Sequence, residues 1–274
     1  MEKNQFQQLL ARVRQKKPLI HQLTNQVTIN DCANVTLAIG ASPVMTASKH
    51  EVRDMVRLAD ALVVNFGTLN DDMYESMLIA GHTANNKGIP VVLDPVGAGA
   101  TPYRTEKIRE FLQKVRVAAI RGNISEIHAL SSRSSTTRGV DAGDVAEDPQ
   151  EIAGHAARIF STVVAVTGVT DYISDGTTTY RLNNGDPALT SISGTGCMST
   201  ALIASFSAVC ESRLHAAAAG VSVMSIAGEV AKKETENAGL GTYRVKLMDA
   251  ISLFDSRSLY DRMKLTEIRK VKTL

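Results

Sequence analysis

The chain has 274 residues, 44% hydrophobic and 21% charged, with a formal net charge of +2. Those proportions describe a soluble globular protein, and without a basic run interleaved with aromatics they argue against nucleic-acid binding. Three cysteines, Cys32, Cys197 and Cys210, have no paired spacing, which argues against a disulfide framework or a zinc site and fits a reducing, cytoplasmic setting.

Met1 to Lys17 has the pattern of a polar amphipathic helix and lacks the apolar core of a signal peptide. Pro18-Leu19-Ile20 is strand-like and leads into His21-Gln22-Leu23-Thr24-Asn25, where the histidine is expected to be packed and hydrogen-bonded. Met45, after Ser42-Pro43-Val44, is either core filler or the wall of an apolar pocket. Ser48 and Glu51 have the spacing of a capping box ahead of Met55 to Ala59. Four apolar runs, Leu62 to Asn65, Pro90 to Asp94, Val117 to Ile120 and Val163 to Val166, suit strands buried on both faces of a parallel sheet. Helical patterns over Asp71 to Asn86 and Glu106 to Val115 lie between them. This alternation predicts an α/β fold with right-handed crossovers and helices on both faces.

Ser131 to Asp148 is rich in Ser, Thr, Gly and Asp and reads as a long surface loop, a candidate lid. Tyr172 to Leu182 carries a hairpin signal turning at Asp175-Gly176. From Met198 onward the pattern is helical throughout: Met198 to Cys210, Leu214 to Lys233, Arg244 to Phe254 and Ser258 to Lys270. The stretch His215 to Ala231 contains serines, Glu229 and two glycines and reads as too short and polar to span a bilayer. No linker or repeat divides residues 1–274, so one domain is expected.

Open parallel sheets bind ligands beyond the carboxyl ends of their strands. Asn65, Asp94, Arg121 with Asn123, and Thr167 fall at four such ends, each accompanied by glycines. Asp94 and Glu126 form a candidate pair for magnesium, which takes oxygen ligands and keeps several waters. Asn123 with Glu126 is equally a helix-capping pair, and Asp94 has the alternative of capping the next turn. Arg121 and Thr167 suit a nucleotide phosphate, or else an ordinary surface ion pair and a strand-end hydroxyl. Ser193-Gly194-Thr195-Gly196-Cys197 opens a buried helix, and its N–H groups suit a phosphate or an oxyanion; the alternative is a tight turn that only starts a core helix. The helix dipole is expected to raise the acidity of Cys197. Cys32 and Cys210 read as inert core thiols in helical patterns.

In combination these segments resemble a known family. His21 to Asn25 with Val27 to Asp31, Gly40 to Met45, Leu93 to Gly99, Arg121 to Glu126, Gly194 to Met198 and Gly241 to Val245 are similar to the motifs of the hydroxyethylthiazole kinases of thiamine salvage. The resemblance implies a ribokinase-like three-layer α/β/α fold with a central, mostly parallel sheet. It also implies ATP-dependent phosphorylation of the primary alcohol of 4-methyl-5-(2-hydroxyethyl)thiazole. Cys197 would stand at the general-base position, where relatives in the wider superfamily usually have Asp, beside the anion-holding Gly194, Thr195 and Gly196. Met45, Gly194, Asn25 and Gly67 would border the thiazole; Arg121, Thr167 and Asn123 would meet ATP; Asp94 and Glu126 would be associated with magnesium. A homotrimer with thiazole sites between subunits is implied as well. Three rival readings stand below it: a kinase of a pyrimidine or vitamin B6 alcohol, against which Cys197 and the segment His21 to Asp31 speak; a non-catalytic sensor, which should have lost Asp94, Glu126 or the glycine turn, all present here; and a nicotinamide-dinucleotide enzyme. The last rests on Gly97-Ala98-Gly99, where Pro102 takes the place of the third glycine.

Overall fold

The computed structural model describes residues 3–132 and 148–268. Its centre is a nine-stranded sheet: β1 (Leu19–Leu23), β2 (Ser42–Val44), β3 (Ala61–Asn65), β4 (Val91–Asp94), β5 (Ala119–Asn123), β6 (Val163–Thr167), β7 (Asp171–Ser174), β8 (Thr179–Leu182) and β9 (Leu265–Ile268). The spatial order is β2-β1-β3-β4-β5-β6-β7-β8-β9. The first six strands are parallel and the last three antiparallel.

Alternate side chains of each strand enter opposite cores. Val63 and Val92 face one layer, while Leu62, Val64 and Leu93 face the other. The first layer holds α1 (Lys3–Lys16), α2 (Ile29–Ile39), α8 (Thr195–Ser207), α9 (Arg213–Glu234), α10 (Leu240–Leu253) and α11 (Ser256–Arg262). The second holds α3 (Val52–Leu58), α4 (Asp71–Lys87), α5 (Pro102–Lys114), α6 (Ile124–Ser131) and α7 (Pro149–Phe160). Strands covered on both faces must be apolar throughout, and β3 and β4 are buried at every position. The chain moves outward in both directions from β1, so a crevice opens beyond the carboxyl ends of β1 and β3, the usual ligand position in open α/β sheets.

Register brings the polar strand ends together. Asn65 pairs with Asp94, and Asn123 with Thr167. Four strand ends therefore stand side by side at one edge of the sheet.

Three expectations change. Ser258 to Lys270 is not one helix: α11 stops at Arg262 and Leu265–Ile268 pairs with β8. The turn between them is pinned by Asn184, whose Nδ2 donates to the Arg262 carbonyl at 3.0 Å while its Oδ1 accepts the Lys264 N–H at 2.7 Å. Ser48 and Glu51 form no capping box; α3 starts at Val52 without a side-chain cap, and the Glu51 carboxylate accepts the Thr46 hydroxyl instead. By length and composition α9 is sufficient to cross a membrane, but most of it is buried inside the fold. Its apolarity comes from lying between α8, α10 and the sheet. The loop expected from Ser131 to Asp148 falls mostly outside the described residues; Ser131 closes α6 and Asp148 caps α7.

The central helices approach closely at Gly220 of α9, where an added Cβ would lie 2.6 Å from the Ile203 backbone of α8. Alanine would gain helix propensity there but force two backbones apart, and overpacking costs about 1–3 kcal/mol. Gly220→Ala is expected to lower the urea midpoint of unfolding; an unchanged or higher midpoint would contradict this packing.

Candidate active site

The polar centre is built from strand ends and one helix start. Asn25, just beyond β1, turns the chain with its own side chain: Oδ1 accepts N–H groups of Val27 and Thr28, both at 3.1 Å. Its Nδ2 donates to Asn65 Oδ1 at 3.0 Å and to Cys197 Sγ at 3.3 Å. Asn65 ends β3 and uses all of its hydrogen-bonding capacity. Oδ1 also accepts the Gly67 N–H at 2.9 Å, and Nδ2 donates to Cys197 Sγ at 3.2 Å and to Asp94 Oδ2 at 3.0 Å. Thr200 of α8 donates its hydroxyl to the same Asp94 oxygen at 2.9 Å. A side chain at position 67 would collide with Asn25, which is why glycine stands there.

Asp94 is fully buried, and its Oδ1 has no hydrogen-bond partner. Burial pushes its pKa up to about 6, against the pull of the Arg121 charge and with a further push from Glu126. Glu126 is held by two backbone N–H groups: Oε1 accepts from Gly97 and Oε2 from Asn123, both at 2.9 Å. Asn123 Oδ1 accepts the Glu126 N–H in return at 2.9 Å, so the capping box at the start of α6 is formed. The cap and a site role are compatible here, since the box fixes a carboxylate beside Asp94. Among the described residues no cluster of three or more His, Cys, Asp or Glu side chains is placed to hold a metal. The free Oδ1 of Asp94, with Glu126 behind it, nevertheless fits magnesium, which needs only one or two carboxylates and otherwise keeps water.

The glycine turn packs directly on this group. Gly194 precedes α8 with φ +91°, and a Cβ there would lie 2.8 Å from Thr28 Cγ2. At Gly196 a Cβ would meet Arg121 Nη1 at 2.2 Å, so the guanidinium lies over the turn. Arg121 Nη2 donates to Thr167 Oγ1 at 2.5 Å. Arg121, Asn123, Thr167, Thr195 and Gly196 line one cavity of about 460 Å³, within the range of small-molecule sites. A larger cavity of about 770 Å³ opens at the opposite edge of the sheet, against Pro90, Arg116 and Val117, and includes no candidate site residue.

Cys197 reverses an expectation. Burial and the charge of Asp94 raise its thiol pKa, outweighing hydrogen bonds from Thr28, Asn65 and Asn25 as well as any help from the helix start. The group at this position is a neutral thiol. Cys32 is buried, its pKa pushed up to about 12 chiefly by burial. Cys210 is not helical: it follows α8, half-buried, and its thiol donates to the Ser212 carbonyl at 3.3 Å. His21 is packed as expected, with Nε2 2.7 Å from the Thr46 carbonyl and its pKa lowered by burial. Met45 is half-buried just past β2. It lies outside the cavity beside Arg121, as do Asn25 and Gly67.

Thr200 and Asp171 escaped the sequence reading. A threonine one turn after Gly196 in an apolar helix was the available sign for the first. Asp171 lines the cavity, accepts N–H of Gly168 and the Ser225 hydroxyl, both at 3.0 Å, and is raised to about 6, mainly by burial. Its sign was the Thr167-Gly168 turn placed just ahead of a hairpin strand.

A glycine-opened helix start, an arginine, and buried acids at the carboxyl edge of a parallel sheet define an α/β phosphotransferase of the ribokinase-like class. The chain matches the hydroxyethylthiazole kinase family over residues 10–256 and belongs to it. A hydroxyethylthiazole kinase of Ruminiclostridium cellulolyticum is 46% identical over 267 residues, 96% of this chain and 98% of that protein. One from Alkaliphilus oremlandii is 46% identical across 97% of this chain and 99% of its own length. The solved structure of the hydroxyethylthiazole kinase protein from Pyrococcus horikoshii OT3 superposes with a TM-score of 0.89 at 40% identity, covering 97% of this chain and all of that one. The pyridoxal kinase from Staphylococcus aureus in complex with ADP shares the fold alone, with a TM-score of 0.62 at 15% identity, over 92% of this chain and 98% of its own.

Raising the pKa of Asp94 in the fold means that the folded state holds its proton more tightly than the unfolded chain. The stability it contributes is therefore present below the ordinary value of 3.8 and is lost as pH rises through about 6. Asp94→Asn removes no hydrogen bond from the unpartnered oxygen. Its unfolding free energy is expected to gain on that of the unsubstituted chain between pH 4 and 6 and to stay higher at pH 7, while activity falls. Denaturation curves at several pH values with a constant difference would contradict the burial cause.

Proposed function

We propose that the chain transfers the γ-phosphoryl group of ATP to the primary alcohol of 4-methyl-5-(2-hydroxyethyl)thiazole, as a single catalytic domain in the cytoplasm. The observation that carries the reading is the α8 start, which has Arg121 and Thr167 on one side and Asn25, Asn65 and Asp94 on the other. Three free thiols suit a reducing compartment.

Phosphoryl transfer passes through a loose transition state, so positioning and charge stabilisation dominate. The N–H groups of Thr195, Gly196 and Cys197 open a helix and have no intrahelical partners. They are assigned to the oxygens of the group in transfer, and the Arg121 fork to the polyphosphate. Gly194 keeps that turn against Thr28, and Gly67 lets Asn25 close over Asn65. Asn25 and Asn65 aim two N–H donors at Cys197 Sγ and fix the thiol. A neutral thiol is a weak base, and a loose transition state tolerates one. When bound at Asp94 and Glu126, magnesium supplies charge neutralisation of the triphosphate.

Met45, Asn25, Gly67 and Gly194 are assigned to the thiazole. That all four lie outside the lining of the nucleotide cavity, and that Val27 and Ile29 beside Asn25 are 69% and 38% exposed, favours a thiazole site completed by a neighbouring subunit. The assembly in this reading is a homotrimer.

An ADP-release assay with the thiazole alcohol tests the whole. Turnover is expected to require both the alcohol and magnesium and to stop with chelator; ADP release indifferent to the alcohol would refute it. General-base help is commonly worth about 10²–10⁴-fold, and Cys197→Ala is expected to lose less than about 10²-fold in kcat, with Cys197→Asp active. Gly196→Ala displaces Arg121 and is expected to cost more than Cys197→Ala, chiefly as a raised KM for ATP. A Gly196→Ala enzyme with normal kinetics would remove the anion-holding role of this turn.

A further inference from the structure

The cavity beside α8 has two unlike ends. Arg121, Thr167 and the helix start at Thr195 and Gly196 form one. Val169, Pro187, Leu189, Val221 and Met224 form the apolar walls of the other. Polar side chains stand at that end too, and all those named here except one Asp186 oxygen are engaged inside the protein. Ser225 donates to Asp171 Oδ2, and Asp171 Oδ1 accepts the Gly168 N–H. Asn184 spends Nδ2 on Glu229 and the Arg262 carbonyl, and Oδ1 on the Lys264 N–H. Thr190 donates to the Pro187 carbonyl at 2.7 Å, and Thr195, where the two ends meet, to the Leu189 carbonyl at 3.1 Å. Backbone N–H groups of Gly185, Ala188 and Leu189 go to Glu229, the Asp186 side chain and the Asp186 carbonyl. One Asp186 oxygen is occupied by Ala188 at 2.8 Å. The other accepts from any exocyclic amine, and adenine, guanine and cytosine all carry one.

We infer that this end admits a nucleobase by shape and apolar contact without reading its edge, so that GTP and CTP serve beside ATP as phosphoryl donors. The inference rests on the kinase reading above and widens its donor. A site whose buried polar groups pair with one substrate rejects an analogue lacking the partner by about 10⁴–10⁵-fold, whereas a methylene gained or lost in an apolar pocket changes discrimination by only about 10–200-fold. Among the described residues, the polar side chains named at this end are satisfied within the protein except one Asp186 oxygen. All three bases can meet that acceptor with an amine, so exchanging one of these bases for another strands none of them. The second regime therefore applies.

The test is kcat/KM for purified ATP, GTP and CTP at saturating thiazole alcohol and magnesium, with the thiazole phosphate product counted by mass spectrometry. GTP and CTP are each expected to lie within about 200-fold of ATP, and either one falling below that overturns the inference. Asp186→Ala is expected to shift all three donors together. A loss for ATP more than about tenfold larger than for GTP or CTP would make Asp186 an adenine reader and also overturn it. If ATP itself yields no thiazole phosphate, the kinase reading fails and takes this inference with it; ATP turnover without GTP or CTP turnover sinks the inference alone.

Discussion

On one oxygen of Asp94 two hydrogen bonds converge, from Asn65 at the end of β3 and from Thr200 inside α8. The sheet edge and the helix are thereby held at a fixed separation. Everything chemical follows from that distance: the thiol of Cys197 reaches the two asparagine amides, Gly196 lies beneath Arg121, and the first N–H groups of α8 stand over the same edge. In-register pairing of Asn65 with Asp94 is what allows so short a chain of contacts.

The arrangement is costly in stability terms. A carboxyl with an unpartnered oxygen sits in the interior, beside a second acid and a raised thiol. Buried polar groups are tolerated when satisfied and expensive when not. Two of the unpartnered buried atoms, Asp94 Oδ1 and Arg121 Nε, lie where a cationic ligand and a phosphorylated one are expected, and the surrounding apolar layers make up for the cost. Asn65 and Glu126 illustrate the compensation, since each spends its polar atoms on neighbours that must stay put.

Much of this was legible from residue order. Continuous β-branched runs gave parallel strands because burial on two faces leaves no room for alternation, and the polar residue ending each run marked the active edge. Gly194 and Gly196 marked the turn because no side chain fits against Thr28 or Arg121. What stayed hidden depended on distant partners. Leu265 to Ile268 is too short to declare itself a strand without β8 beside it. Glu51 was diverted from its cap by Thr46. Local rules gave Cys197 the benefit of a helix start, but its acidity is decided by burial and by Asp94, a residue 103 positions earlier in the sequence. Asp171 acquires meaning only through Ser225, contributed by a different element.

Helix α9 is the most apolar long segment in the described chain and is covered by α8, α10 and the sheet. Apart from α10, α11 and β9, every element it packs near precedes it in the chain. Synthesis from the amino terminus therefore delivers this greasy stretch to α8 and the parallel strands already made, while the face that α10 covers stays open to chaperones, to other nascent chains or to a bilayer until residues 240–253 follow.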